Sequence, residues 1–132
     1  MTDSQCDTAG RQELAVNVEG TMKVYLGVRD AGGVGHVYIA EADKPDRLLD
    51  PRADLFKHCV TGLDWGYSGP GPAQCALAIL ADALNDELRA VRVHAGFCFH
   101  AITALPRHLP WELTAAQVRA IVEDIEHNAA VG

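Results

Sequence analysis

The chain has 132 residues, 48% of them hydrophobic, and carries 11 Lys and Arg against 18 Asp and Glu for a net charge of −7. That length suits one domain with a buried core, and the composition excludes a disordered or fibrous chain. The basic residues are scattered without a run, which argues against direct binding to nucleic acid, since a phosphate backbone needs clustered Lys and Arg.

The N-terminus shows no basic segment followed by an apolar run, so no signal peptide is expected. The longest apolar stretch, Cys75 to Ala81, is too short to span a bilayer. Cys6, Cys59, Cys75 and Cys98 are unevenly spaced and read as reduced thiols of a cytoplasmic protein, with Cys75 a small core residue.

Residues 1–20 are polar and aperiodic, a loosely ordered leader with a short ordered piece at Leu14-Ala15-Val16; residues 21–132 form the single domain. Met22 to Val28 alternates and is rich in β-branched and aromatic types, so it reads as a strand. Ala31 to Gly35 accepts positive φ and leads into a second strand, His36 to Ala40, closing a β-hairpin. Glu41 to Lys57 is charged, broken by Pro45 and Pro51, and expected to be mostly loop, while Leu63-Asp64-Trp65 is a short candidate third strand. From Pro72 the period becomes helical. Between Ala73 and Leu84 the only polar residues are Gln74 and Asp82, nearly on one stripe, so this helix must be buried on most sides.

Asn85 breaks that pattern and can cap a second helix, Asp86 to Leu105, with Asp86 and Glu87 placed against its positive end. Val91, Ala95, Cys98 and Ile102 form its expected apolar face, widened by Phe97, Ala101 and Leu105; Pro106 and Pro110 end it. In the last helix Thr114-x-x-Gln117 is a capping box, Leu113 with Val118 can form a hydrophobic staple, and Val118, Ile121, Val122 and Ile125 make the inner stripe. The predicted fold is therefore α+β: a small antiparallel sheet of two or three strands packed on three helices, the first helix central and buried.

The block Leu49-Asp50-Pro51-Arg52-x-Asp54-Leu55-x-x-His58, then Gly62-Leu63-Asp64-Trp65-Gly66-Tyr67-x-Gly69-Pro70-x-Pro72-Ala73-Gln74 and Ala76 to Asp82, resembles a family of small proteins from bacteria, archaea, phages and plasmids, domain-of-unknown-function family 6166. The resemblance reaches back to Tyr25-Leu26-Gly27-Val28-Arg29 and forward to Trp111-Glu112-Leu113-Thr114. It implies a fold layout and no established activity. This chain departs from the family pattern at Pro70, where a Ser is usual, and at Cys98, where a Lys is usual. Occurrence on mobile elements implies a protein that acts on host or rival machinery.

Asp50, Arg52, Asp54 and His58 are the densest set of acid–base groups. They read either as a turn braced by ion pairs or as a site in which His58 acts as general base beside Asp54 or Asp64. The Gly69-Pro70-Gly71-Pro72 turn has the position of an anion site, but its prolines remove two donors and no Lys-Ser/Thr follows, so a structural turn is the better reading. His94 and Cys98 have a spacing that can share a metal; a zinc site needs two more ligands, with only His58, Cys59 and Cys75 scattered nearby, so burial in a helix interface is preferred and no metal or cofactor is expected. Trp65 reads as core, whereas Tyr67 is either a recognition residue or a hydrogen-bond donor to a loop.

With no complete catalytic constellation in view, the first functional expectation is a non-enzymatic module that binds a basic protein surface and inhibits a host or defence complex, as anti-CRISPR proteins do. Its binding residues are Asp50, Arg52, Asp54, His58, Asp64 and Tyr67. The alternatives are a small enzyme using a His58/Asp54 acid–base pair and an accessory subunit that works as an oligomer.

Overall fold

The computed structural model describes residues 22–58 and 62–131. The leader assigned to residues 1–20, with Cys6 and Cys59, lies outside the described residues. The predicted hairpin forms the middle of the sheet. Strand β1 (Lys23–Arg29) pairs antiparallel with β2 (Gly35–Glu41), Tyr25 opposite Ile39 and Gly27 opposite Val37. Asp30 closes the turn, its carboxylate accepting the N–H groups of Gly32 at 2.9 Å and Val34 at 3.0 Å. Tyr25, Val37 and Ile39 point into the core on the period of two.

Two further strands flank this hairpin. β3 (Arg47–Leu48) pairs with β2, and β4 (Trp111–Thr114) pairs with β1, giving the antiparallel order β3-β2-β1-β4. The sheet thus has four strands among the described residues, where two or three were expected. Leu63 to Trp65 is not one of them. Its backbone N–H groups are committed elsewhere: Asp64 to Gly71 O at 3.3 Å, Trp65 to the Asp64 carboxylate at 2.9 Å, and Gly66 to Ile102 O at 3.0 Å. With the donors of Asp64, Trp65 and Gly66 so engaged, the segment does not join the ladder.

Helix α1 (Pro70–Leu84) starts two residues before the predicted boundary, with both prolines in the first turn, where no N–H is needed. From Gln74 to Ala81 every residue is buried, Gln74 included. Asn85 does not cap the next helix. It takes the left-handed conformation at φ 52° and ends α1, while Asp86 caps α2 (Glu87–Phe97) by accepting Arg89 N–H at 3.1 Å. The chain then continues through one π-helical turn, Cys98–Ile102, with Thr103 N–H bonded to Cys98 O at 3.1 Å.

The buried face of α2 runs through Ala90, Val93, His94 and Phe97 and on to Cys98, Ala101 and Ile102. Ala95, expected inside, is exposed. The large Phe97 ring takes the interior position and turns the smaller residue outward. Helix α3 (Ala115–Val131) carries the predicted capping box: Gln117 N–H donates to Thr114 Oγ1 at 3.0 Å and Thr114 N–H to Gln117 Oε1 at 2.9 Å. Thr114 is also the last residue of β4, so one side chain joins the sheet edge to the helix. Val118 and Val122 are fully buried beneath it. No described helix is long and apolar enough to cross a membrane.

Trp65 and Trp111 meet edge to face with ring centroids 5.3 Å apart. Neither indole N–H has a hydrogen-bond partner among the described residues, so no hydrogen bond from either ring helps to hold the pair. Trp111 lies across Gly27, where a Cβ would meet the indole at 2.1 Å. Gly27→Ala must therefore displace Trp111 and should lower stability by about 1–3 kcal/mol, the usual range for overpacking a core. Urea melts followed by tryptophan fluorescence measure this, and an unchanged midpoint would show that Trp111 does not cover β1.

Candidate functional site

The loop between β2 and Trp65 has little ladder to hold it, so its backbone polar groups need other partners. Gln74, on the inner side of α1, supplies them. Its Oε1 accepts the His58 N–H at 2.6 Å, and its Nε2 donates to Pro51 O at 2.8 Å and Phe56 O at 2.9 Å. One buried carboxamide thus fixes the loop at three points.

Arg52 braces the same loop from outside. Its backbone takes the left-handed conformation at φ 57°, and its N–H donates to Asp50 Oδ1 at 2.8 Å, closing a tight turn. The guanidinium binds Asp54 through two 3.0 Å bonds and also reaches Glu87 at the start of α2. The hydrogen bond from Arg52 holds the Asp54 carboxyl below the ordinary carboxylate range. Asp50, Arg52 and Asp54 are therefore brought together, but the ion pairs expected of the braced turn run from Arg52 to Asp54 and Glu87, while Asp50 accepts the Arg52 backbone N–H.

His58 is placed differently from the catalytic alternative. Both Asp54 oxygens are bonded to Arg52, and the His58 ring turns to α2, its Nε2 lying 2.8 Å from His94 Nε2. Phe56 stacks on its other side, centroids 4.3 Å apart. Burial, and then the proximity of His94, hold the His58 pKa below its ordinary value. Among the described residues neither Asp54 nor Asp64 is its partner, so no carboxylate–imidazole dyad forms at His58. Cys98 and Cys75 are buried, and burial is the largest influence pushing both thiols up. No group of three or more His, Cys, Asp or Glu among the described residues is arranged to hold a metal.

Asp64 and Tyr67 form a second cluster. The Asp64 carboxylate receives Arg29 Nη2 at 2.6 Å, the Tyr67 hydroxyl at 2.9 Å and the Trp65 N–H at 2.9 Å. Arg29 also donates to Arg107 O at 2.7 Å and lies over the Trp65 ring, 4.6 Å from its centroid. Arg107 covers Tyr67 at the same distance. Asp64 packs so tightly on the first turn of α1 that a Cβ on Gly71 would come 2.7 Å from its own Cβ. The negative charge favoured near a helix start is thus the protein's own, which agrees with the structural reading of the Gly-Pro-Gly-Pro turn. Trp65 is fully buried, and Tyr67 bonds into the loop.

The signature block from Leu49 to Asp82 lies inside residues 25–124, which match the profile of a family of unknown function, DUF6166. The chain belongs to that family. No curated protein and no solved structure matches it. In this DUF6166 chain, sequence reasoning missed Gln74 and His94 as partners of the loop and Arg29, Glu87 and Arg107 as its braces. Gln74 did leave a signal: a lone carboxamide in a turn of helix with no other polar residue marks a buried hydrogen-bond hub. Arg29 left none, because its partners Asp64 and Arg107 stand 35 and 78 residues away.

Burial alone would raise the Asp64 carboxyl, but the bonds from Arg29, Trp65 N–H and Tyr67 outweigh it and hold its pKa below the ordinary value. A carboxylate depressed on folding contributes stability that is complete above its unfolded pKa, about 3.9. That stability is lost as pH falls through the lower folded value. Asp64→Asn should therefore lower stability at pH 7 by about 1–2 kcal/mol and weaken the acid limb of the stability profile below about pH 4. Thermal melts from pH 7 to pH 2 measure both; a variant with the parent's acid limb would remove Asp64 from the ionic cluster.

Proposed function

We propose that this chain is a non-enzymatic protein-binding module that meets a basic surface of its partner with the loop over residues 42–58. One observation carries the reading. The loop is fixed from behind by buried Gln74, while its outer side carries Leu48, 61% exposed, Phe56, 50% exposed, and the exposed acids Asp43, Asp46 and Asp50, none of them in an ion pair among the described residues. A preorganised loop forfeits little ordering entropy on binding, and apolar anchors beside unpaired charge suit an interface. The acids with most catalytic promise are held in internal bonds instead, Asp54 by Arg52 and Asp64 by Arg29, Tyr67 and Trp65.

The partner we assign is a complex of a host or of its defences, in keeping with what the family resemblance implies about mobile elements. The −7 net charge favours such an encounter and opposes direct contact with nucleic acid. Once a partner is purified, replacing Asp43 and Asp46 with Lys should slow association about tenfold at low salt, with the melting temperature little changed. Phe56→Ala should act on dissociation instead. Stopped-flow or biolayer measurements over a salt series read both rates. Association indifferent to both reversals, or saturable binding of the isolated chain to DNA or RNA in gel shifts, would overturn the reading.

A further inference from the structure

Two imidazoles meet nitrogen to nitrogen where the pinned loop touches α2: His58 Nε2 lies 2.8 Å from His94 Nε2. A contact this short between ring nitrogens needs one hydrogen between them, neither two nor none. The other bond of His94 decides which ring supplies it. His94 Nδ1 lies 2.6 Å from the Val91 carbonyl oxygen, and a carbonyl only accepts, so Nδ1 carries a hydrogen. Neutral His94 therefore offers a lone pair at Nε2. His58 must carry its own hydrogen at Nε2, leaving its Nδ1 bare.

We propose that His58 and His94 form a one-proton latch that closes the 42–58 loop onto α2 near neutral pH and releases it in mild acid. The loop is the one assigned a binding role above, but the latch works by its own chemistry whether or not that assignment stands. A first added proton can enter at His58 Nδ1 and leave the bond in place. A second must enter at His94 Nε2, which sets two N–H groups head to head and two positive charges in contact.

Among the described residues no group bonded to the pair compensates for that charge. From α1 the group facing His58 is the uncharged Gln74, whose Oε1 holds the His58 N–H. From the loop it is the Phe56 ring. From α2 it is His94 itself, 8% exposed, whose remaining bond goes to a neutral carbonyl. The nearby acids of the loop and α2, Asp54 and Glu87, are engaged by Arg52, and neither bonds to a ring of the pair.

The closed pair thus disfavours the second proton, which the open loop accepts. His58 is held below its ordinary value in the closed state, consistent with this direction. Closure is then fully stable above the ordinary histidine pKa, about 6.5, and weakens as pH falls below it. Each proton taken up on opening multiplies the opening equilibrium by up to about ten per pH unit.

The test is backbone amide hydrogen exchange by NMR on the isolated chain between pH 7.5 and pH 5, corrected for intrinsic rates. The amide at position 58, bonded to Gln74 Oε1, is the probe, and the amides of β1 and β2 are the internal reference. Protection at position 58 should fall at least tenfold across this range while the sheet amides hold. His58→Gln and His94→Gln place an untitratable carboxamide that can donate or accept across the same gap, and each should flatten the profile. Protection at position 58 that does not change with pH in the parent chain would overturn the latch. So would a pH dependence that persists undiminished in both variants. Should either variant fail to fold, the parent profile alone decides, and no arm requires a partner.

Discussion

The structure depends on where one carboxamide sits. α1 is apolar enough to be buried, yet Gln74 brings a full amide into that interior, and an unsatisfied buried amide costs about 1–3 kcal/mol for each group left unpaired. The loop over residues 42–58 has the complementary difficulty, since its irregular backbone includes carbonyls and an amide that turn inward. Each answers the other. Gln74 accepts from His58 and donates to Pro51 and Phe56, so the helix cannot lose the loop, nor the loop the helix, without stranding polar groups away from water. The outward display of Leu48, Phe56 and the unpaired acids follows from that inward attachment.

The Asp64 cluster solves a second junction by similar means. The chain arrives at α1 through a segment with no ladder partners, and its donors are taken by Gly71 O, Ile102 O and the Asp64 carboxylate. Arg29 reaches from the end of β1 to neutralise that carboxylate while lying on Trp65, so charge and packing act through one side chain. Bonds from Arg29, Trp65 N–H and Tyr67 favour the charged form of Asp64 against the penalty of burial, and this is why the motif stabilises a turn without leaving a free base beside it. The two clusters sit on the same helix and differ in what they leave exposed: the Asp64 group turns its acid inward, whereas the Arg52 loop leaves Asp43 and Asp46 to solvent.

Much of the fold was legible because it rests on local rules. The hairpin follows from alternation and a turn that tolerates positive φ, α3 from its capping box, and the burial of α1 from its near-total lack of polar residues. β3 and β4 escaped because two and four residues cannot show a period, and Thr114 had already been read as a cap. The face of α2 was misjudged around Ala95 because periodicity alone does not say which of two neighbouring stripes goes inside; the Phe97 ring decides it. The site was half legible. Asp50, Arg52 and Asp54 lie within five residues and could be paired on paper, while His58 with His94, and Asp64 with Arg29, are joined only by the tertiary fold.

The most direct test of this arrangement is the amide exchange map of Gln74→Leu, which keeps most of the side-chain volume and removes the carboxamide. Protection should be retained in β1, β2 and the capped start of α3, while residues 50–58 lose it and global stability falls by about 2–4 kcal/mol, reflecting stranded polar groups at more than one point of the loop. A variant whose loop amides stay protected, with stability within about 0.5 kcal/mol of the parent, the range of a neutral surface change, would contradict the claim that Gln74 holds the loop.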